Sequence, residues 1–183
     1  MYKMKFTELK FTGCKIIEVD IFRDKRGTFK KIYHQNKYQE NGLNVIFKEQ
    51  YLTCSNKNVL RGMHFQLPPH DQSKLVSCLT GSVLDVFLDL RRNSKTYGQT
   101  DSFILSKDSG KSIFLPSVIA HGFLSLEDNS GMLYNTSTVY NPDSDYGIMW
   151  NSIDYRWPIN KPQVSERDKN HVVFDQFDTP FIT

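Results

Sequence analysis

The chain has 183 residues and a net charge of +3, from 23 Lys and Arg against 20 Asp and Glu spread along its length. That mixed balance excludes the concentrated basic face of a dedicated nucleic-acid binder and leaves room for a small anionic ligand. Cys14, Cys54 and Cys78 are odd in number and lack any C-x-x-C spacing, so neither a disulfide framework nor a zinc site is expected. The length fits one ordinary domain, residues 1–183. Without an N-terminal apolar h-region or a run of about 18 apolar residues, the expectation is a cytoplasmic protein with no membrane partner.

Taken in order, short alternating runs divided by turn residues, with no helical stripe sustained over three turns, predict an all-β fold. Residues 11–22, with Cys14, Ile16, Ile17, Val19, Ile21 and Phe22, form one or two strands closed by the turn Arg23-Asp24-Lys25-Arg26-Gly27. Residues 28–33 are the next strand, 34–42 a short polar helix or loop, and 45–53 a strand ending in the turn Ser55-Asn56-Lys57-Asn58. The run Leu60-Arg61-Gly62-Met63-His64-Phe65-Gln66 follows. Strict alternation puts Arg61, Met63 and Phe65 on one face and Leu60, Gly62, His64 and Gln66 on the other. Pro68-Pro69 then interrupts pairing.

Residues 75–80 and 82–90 read as a hairpin around Gly81. In its second arm Leu84, Val86, Leu88 and Leu90 share one face, and Val83, Asp85, Phe87 and Asp89 the other. Strands over 100–105, 111–115, 121–126, 132–139 and 148–150 continue the series. About ten strands at a spacing of about 8–12 residues suggest a closed barrel or jelly roll. The polar tail, with a short helix from Pro162 through residues 164–169, is expected to cross one barrel mouth.

His64 shares its expected face with polar neighbours, His121 precedes Gly122 at a strand start, Tyr134 and Tyr140 flank a strand, and Asp168 lies in Ser165-Glu166-Arg167-Asp168. These groups supply a base, an acid, a cation and an orienting carboxylate, the set needed to take a proton from carbon beside a carbonyl. They also fit a structural histidine, core tyrosines and a solvated aspartate, and spacing alone does not choose.

The run LRGMHFQ, Pro68-Pro69 with Gln72-x-Lys74, Gly81-x-Val83-x-Asp85-Val86, Asp89-Leu90-Arg91, Ala120-His121-Gly122-Phe123, the Tyr134 to Tyr140 spacing and Trp157-Pro158 together resemble the dTDP-4-dehydrorhamnose 3,5-epimerase family over residues 22–168. The resemblance implies a cupin-type jelly roll with a short C-terminal helical segment, a homodimer, and epimerisation of a nucleotide-linked 4-keto sugar with no cofactor and no metal. By position it makes His64 the general base, Asp168 the carboxylate that orients it, Tyr140 the acid, and Lys74 the cation at the C4 oxygen. His121 and Asp85 would surround the sugar and Arg61 would meet the pyrophosphate, while Arg26 and Phe29 would complete the partner's nucleotide site. Two other classes stay open: a metal-dependent cupin isomerase or dioxygenase using His64, Gln66 and His121, and a catalytically silent sugar-nucleotide-binding cupin.

The departures lie at residues 24–31 and 49–51. The family's D-x-R-G-F-F-x-E reads Asp24-Lys25-Arg26-Gly27-Thr28-Phe29-Lys30-Lys31, and its Q-x-N reads Glu49-Gln50-Tyr51. An amide suits a thymine edge, whereas the acceptor-only carboxylate of Glu49 suits the paired donors of guanine. The family default is a dTDP-linked substrate, and Glu49, with Tyr51 beside it, hints at a GDP-linked hexose or heptose.

Overall fold

The computed structural model describes residues 3–182. The strands are β1 (Met4–Glu8), β2 (Lys15–Val19), β3 (Ile21–Asp24), β4 (Gly27–Lys30), β5 (Glu49–Ser55), β6 (Leu60–Gln66), β7 (Lys74–Thr80), β8 (Ser82–Asp89), β9 (Thr100–Ser106), β10 (Lys111–Leu115), β11 (Ile119–Ser125), β12 (Ser130–Thr136) and β13 (Asp145–Gly147). Two short helices, α1 (Gln35–Glu40) and α2 (Glu166–Lys169), accompany them. All strand pairs are antiparallel: one sheet runs β1-β2-β10-β7-β12-β5, a second runs β13-β6-β11-β8-β9, and β3-β4 is a separate hairpin. The two larger sheets face each other as a jelly roll.

Alternation along each strand sorts the core into layers. Val76, Ile113 and Met132 of the first sheet meet Val83, Phe87, Leu105 and Phe123 of the second in the interior. On the outer face of the first sheet, Ile17, Leu75 and Phe114 are covered by α1 through Tyr38, the one buried residue of that helix. A single aromatic anchor explains why residues 34–42 show no apolar stripe yet form a helix; Tyr38 packs edge-on against Phe6 at 5.2 Å and Tyr33 at 4.8 Å.

The outer face of the second sheet is covered by the chain that follows β13. Leu60, Met63, Val86, Leu88 and Leu124 lie beneath Ile148, Ile153, Trp157, Phe177 and Phe181, and the bridges Val59 to Gln163 and Ile148 to Val172 stitch this covering segment to its neighbours. Residues 159–170 pack on the same face through Ile159 and Val164, while Arg167 of α2 reaches the cavity, and the segment as a whole follows the sheet face. At roughly 1.5–3 kcal/mol for each fully buried large apolar side chain, its five anchors outweigh any single hydrogen bond, worth about 0.5–1.5 kcal/mol net. Residues 148–150 form no strand, and their place in the sheet is taken by β13. The edge strand β1, absent from the expected series, is short: Met4 and Phe6 are partly buried toward Tyr38 while Lys5 and Thr7 are exposed.

Candidate active site

A local irregularity in β6 builds the site. In the pairing of β6 with β11, His64 faces His121 but Arg61 faces Phe123, so Gly62 and Met63 together oppose Gly122. This bulge overturns strict alternation: Arg61 and His64, three residues apart, both line the interior cavity, while Leu60, Met63 and Phe65 join the outer core. Only glycine fits at its centre. Gly62 has φ +147°, and a Cβ there would stand 2.5 Å from the Gly122 Cα.

The cavity, about 320 Å³, opens between the sheets and collects side chains from β5, β6, β7, β11 and β12. Alternation aims Lys74 of β7 inward with Val76, leaving Leu75 for the outer core. The Lys74 ammonium is buried and donates to the His64 carbonyl at 2.8 Å. Burial lowers its pKa to about 8, the charges of Asp145 and Asp85 opposing the shift.

His64 Nε2 lies 2.8 Å from Asp168 Oδ1. Asp168 is fixed from three sides: its backbone N–H donates to Ser165 Oγ at the start of α2, Gly62 N–H donates to its Oδ2 at 3.3 Å, and His171 Nε2 stands 3.4 Å from its Oδ1. Burial alone would raise the carboxyl pKa, but the two histidines, His171 and then His64, and the Gly62 N–H hold it well below the usual carboxylate range. An ionised carboxylate only accepts, so it takes the proton of Nε2 and leaves Nδ1 of a neutral His64 as the basic nitrogen. Burial lowers the His64 pKa, and the Asp168 contact works against that shift.

Beside His64 on the same sheet, His121 Nε2 meets Asp85 Oδ2 at 2.8 Å with both residues buried, and Asp85 Oδ1 has no hydrogen-bond partner. Tyr134 sits edge-on to His121 at 5.8 Å and stacks on Tyr51 at 4.7 Å with 11° between the rings. Burial, then the Asp85 charge, raises the Tyr134 pKa well above its usual value, and burial pushes Tyr51 to about 12.

Tyr140 lies on the loop after β12 with 55% of its surface exposed. Its hydroxyl donates to Asp145 Oδ2 at 3.3 Å, and the Asp145 charge raises its pKa. Asp145 in turn accepts from Arg167 at 2.7 Å. The loop is tied down by Gln66, whose Oε1 accepts from Asn141 N–H at 2.7 Å, and by Glu49, whose Oε2 accepts from Tyr140 N–H at 2.6 Å.

The cavity thus gathers His64, Lys74, His121, Tyr140, Arg61, Glu49 and Tyr51, with Asp168 and Asp85 directly behind two of them. Arg26 and Phe29 are not among its lining residues; they sit on the β3-β4 hairpin, Arg26 paired with Asp24 and Phe29 half exposed. Gln66 is spent on the Tyr140 loop, so the metal set His64, Gln66 and His121 is not assembled. Asp145, Arg167 and His171 escape the sequence reading. Only His171 leaves a trace in the sequence, as a histidine three residues after Asp168; in the structure it lies just past the end of α2.

A profile of the dTDP-4-dehydrorhamnose 3,5-epimerase family matches residues 8–176. The dTDP-4-dehydrorhamnose 3,5-epimerase of Methanothermobacter thermautotrophicus is 37% identical over 175 residues, covering 93% of this chain and 94% of its own. That of Escherichia coli is 41% identical over 151 residues, 82% and 80% of the two chains. Among solved structures, the Bacillus anthracis enzyme with TDP and PPi bound superposes with a TM-score of 0.90 at 32% identity, over 93% of this chain and 99% of that one. The Legionella pneumophila enzyme in complex with dTDP-4-keto-L-rhamnose gives 0.93 at 31% identity, over 99% and 100%. These comparisons lend no support to a GDP-linked substrate, a metal-dependent cupin or a silent binding protein. Glu49 itself is engaged with the Tyr140 loop, its Oε2 accepting from the Tyr140 N–H.

Proposed function

The chain belongs to the dTDP-4-dehydrorhamnose 3,5-epimerase family, and on that premise we propose that its cavity inverts C3 and C5 of a dTDP-linked 4-keto-6-deoxy sugar by proton transfer at the two carbons beside the ketone. The observation that carries this reading is the part-buried His64, paired with the buried Asp168, next to the buried Lys74 ammonium. His64 Nδ1 takes the proton from carbon, and the electron pair of the broken C–H bond passes to the C4 oxygen. Asp168 stabilises the resulting imidazolium, and Lys74 stabilises the enolate oxygen in a site of low dielectric. Tyr140, released from Asp145, delivers its hydroxyl proton to the opposite face of the carbon and regains one from solvent.

Arg61 serves the pyrophosphate, and His121 with Asp85 supports the sugar from the sheet that also carries His64. The β3-β4 hairpin reaches a second copy of the chain, where Arg26 and Phe29 complete the nucleotide site of a two-fold dimer. The test is NMR of a dTDP-linked 4-keto-6-deoxy sugar in deuterated water. Exchange at C3 and C5 with net inversion is expected from the wild-type protein. Absence of exchange at both carbons overturns the reading.

A further inference from the structure

His171 has no part in the mechanism above, yet it stands against the catalytic pair. Its Nε2 is 3.4 Å from Asp168 Oδ1, and its ring meets that of His64 edge-on, with centroids 5.5 Å apart at 73°. That nitrogen is buried, and its long contact with Asp168 falls short of hydrogen-bond geometry, so it makes no well-formed hydrogen bond. Buried polar groups in folded proteins are nearly always paired, and an exception calls for a cause such as an ion. Gly147 keeps the ring in place, because a Cβ at that position would fall 2.4 Å from His171 Nε2.

We propose that His64, Asp168 and His171 form a binding site for a transition-metal dication of the Zn²⁺ class, and that its occupancy silences the enzyme. The donor atoms of the three side chains all lie within 4.8 Å of one another. Ligands placed about 2.0–2.1 Å from a tetrahedral Zn²⁺ stand about 3.3 Å apart. The two separations that share Asp168 Oδ1, 2.8 Å and 3.4 Å, bracket that spacing, and the two imidazoles, within 4.8 Å of each other, have to turn toward a common centre. Two imidazoles and one carboxylate suit Zn²⁺, Co²⁺ or Ni²⁺ rather than the all-oxygen preference of Mg²⁺ or Ca²⁺. Asp168 would bind through Oδ1, its Oδ2 remaining on the Gly62 N–H as the outer contact that orients a metal ligand. The charges of Arg167 and Lys74 act on His64 and oppose a second cation, which keeps the affinity below that of an isolated donor set.

The ion would take the lone pair of His64 Nε2, and the proton that Nε2 had donated toward Asp168 would move to Nδ1, so that the nitrogen that takes a proton from carbon already carries one. The metal site stands on ligand geometry alone, whereas the inhibition rests on the reading of His64 as the base. Calorimetry with Zn²⁺ and the deuterium-exchange assay separate the two. Both are run at fixed pH in a Cys54→Ser background, so that the exposed thiol does not contribute. His171→Phe preserves ring volume over Gly147, and His171→Leu serves as a second variant, each checked by its melting curve.

The expected result is one Zn²⁺ per chain, with affinity falling in both variants by more than the about 10–100-fold that loss of a supporting outer group alone costs. Exchange in the His171 protein should be lost on titration with Zn²⁺ and restored by a chelator, and each variant, scaled to its own zinc-free rate, should resist. Equal affinity with and without His171, or no binding at all, overturns the site. Binding that depends on His171 but leaves exchange untouched upholds the site and overturns the role of His64 as base.

Discussion

At the scale of single residues, the contacts of His64, Lys74 and Tyr140 separate the steps of the reaction. His64→Asn should preserve the fold and lose carbon-bound exchange by at least the about 10²–10⁴-fold worth of a general base; near wild-type exchange in the NMR assay would remove the assignment. Tyr140→Phe should leave exchange largely intact while net inversion fails, because only the second proton delivery is lost. Equal loss of both would argue against an acid on the opposite face. The pH profile of kcat/KM follows from two lowered pKa values. The base must be neutral, and burial of His64 places the acid limb below its ordinary 6.5. Lys74 must be charged, so activity should fall as pH rises through about 8, well below the about 10.4 of a free lysine; Lys74→Met should lose that limb along with most of its rate. The family resemblance, rather than composition or spacing, singles out His64, Lys74, His121 and Asp168 in the sequence, and the structure brings them to or directly behind one cavity. Asp145 and Arg167 stay invisible, since their ion pair crosses 22 positions of chain and each is an ordinary charge in its local setting.

Among the elements, β6 shows where periodicity fails. Alternation predicts Arg61 and His64 on opposite faces, and the bulge opposite Gly122 turns both inward. Pairs of glycines carry no periodic signal, so the register shift is not readable from the chain alone, whereas β7, β8 and β11 follow the alternation that places Lys74, Asp85 and His121 inside. Gly62→Ala tests the bulge directly. With a Cβ 2.5 Å from Gly122 Cα, the strands must part, at a cost on the order of 1–3 kcal/mol for overpacking. Urea unfolding should register that loss, and kcat should fall further than the stability change explains, because Arg61 and His64 no longer share a wall. Unchanged stability and rate would mean that the two strands have slack that their spacing does not show. The tail is a second such case: its apolar residues are visible in sequence, but only the contacts of Trp157, Phe177 and Phe181 reveal which sheet face they cover.

For the molecule as a whole, the exposed β3-β4 hairpin carries Arg26 and Phe29 away from the chain's own cavity, which is how one subunit would finish the site of another. Mixing His64→Asn with Arg26→Ala subunits should restore activity to a fraction of the heterodimers, since one of their two sites is then intact. Failure to regain activity, with sedimentation showing fully active monomers of the unaltered protein, would return Arg26 to a surface role. The catalytic pair has one further property: His64 and Asp168 are 104 positions apart. At about 5–20 residues per second of ribosomal synthesis, roughly 5–20 s separate the emergence of the base from that of its carboxylate. For most of that interval Leu60, Met63, Val86 and Leu88 lack Trp157, and Phe177 and Phe181 follow only after Asp168. A nascent chain halted there presents an uncovered apolar sheet face and lacks the carboxylate that pairs with His64.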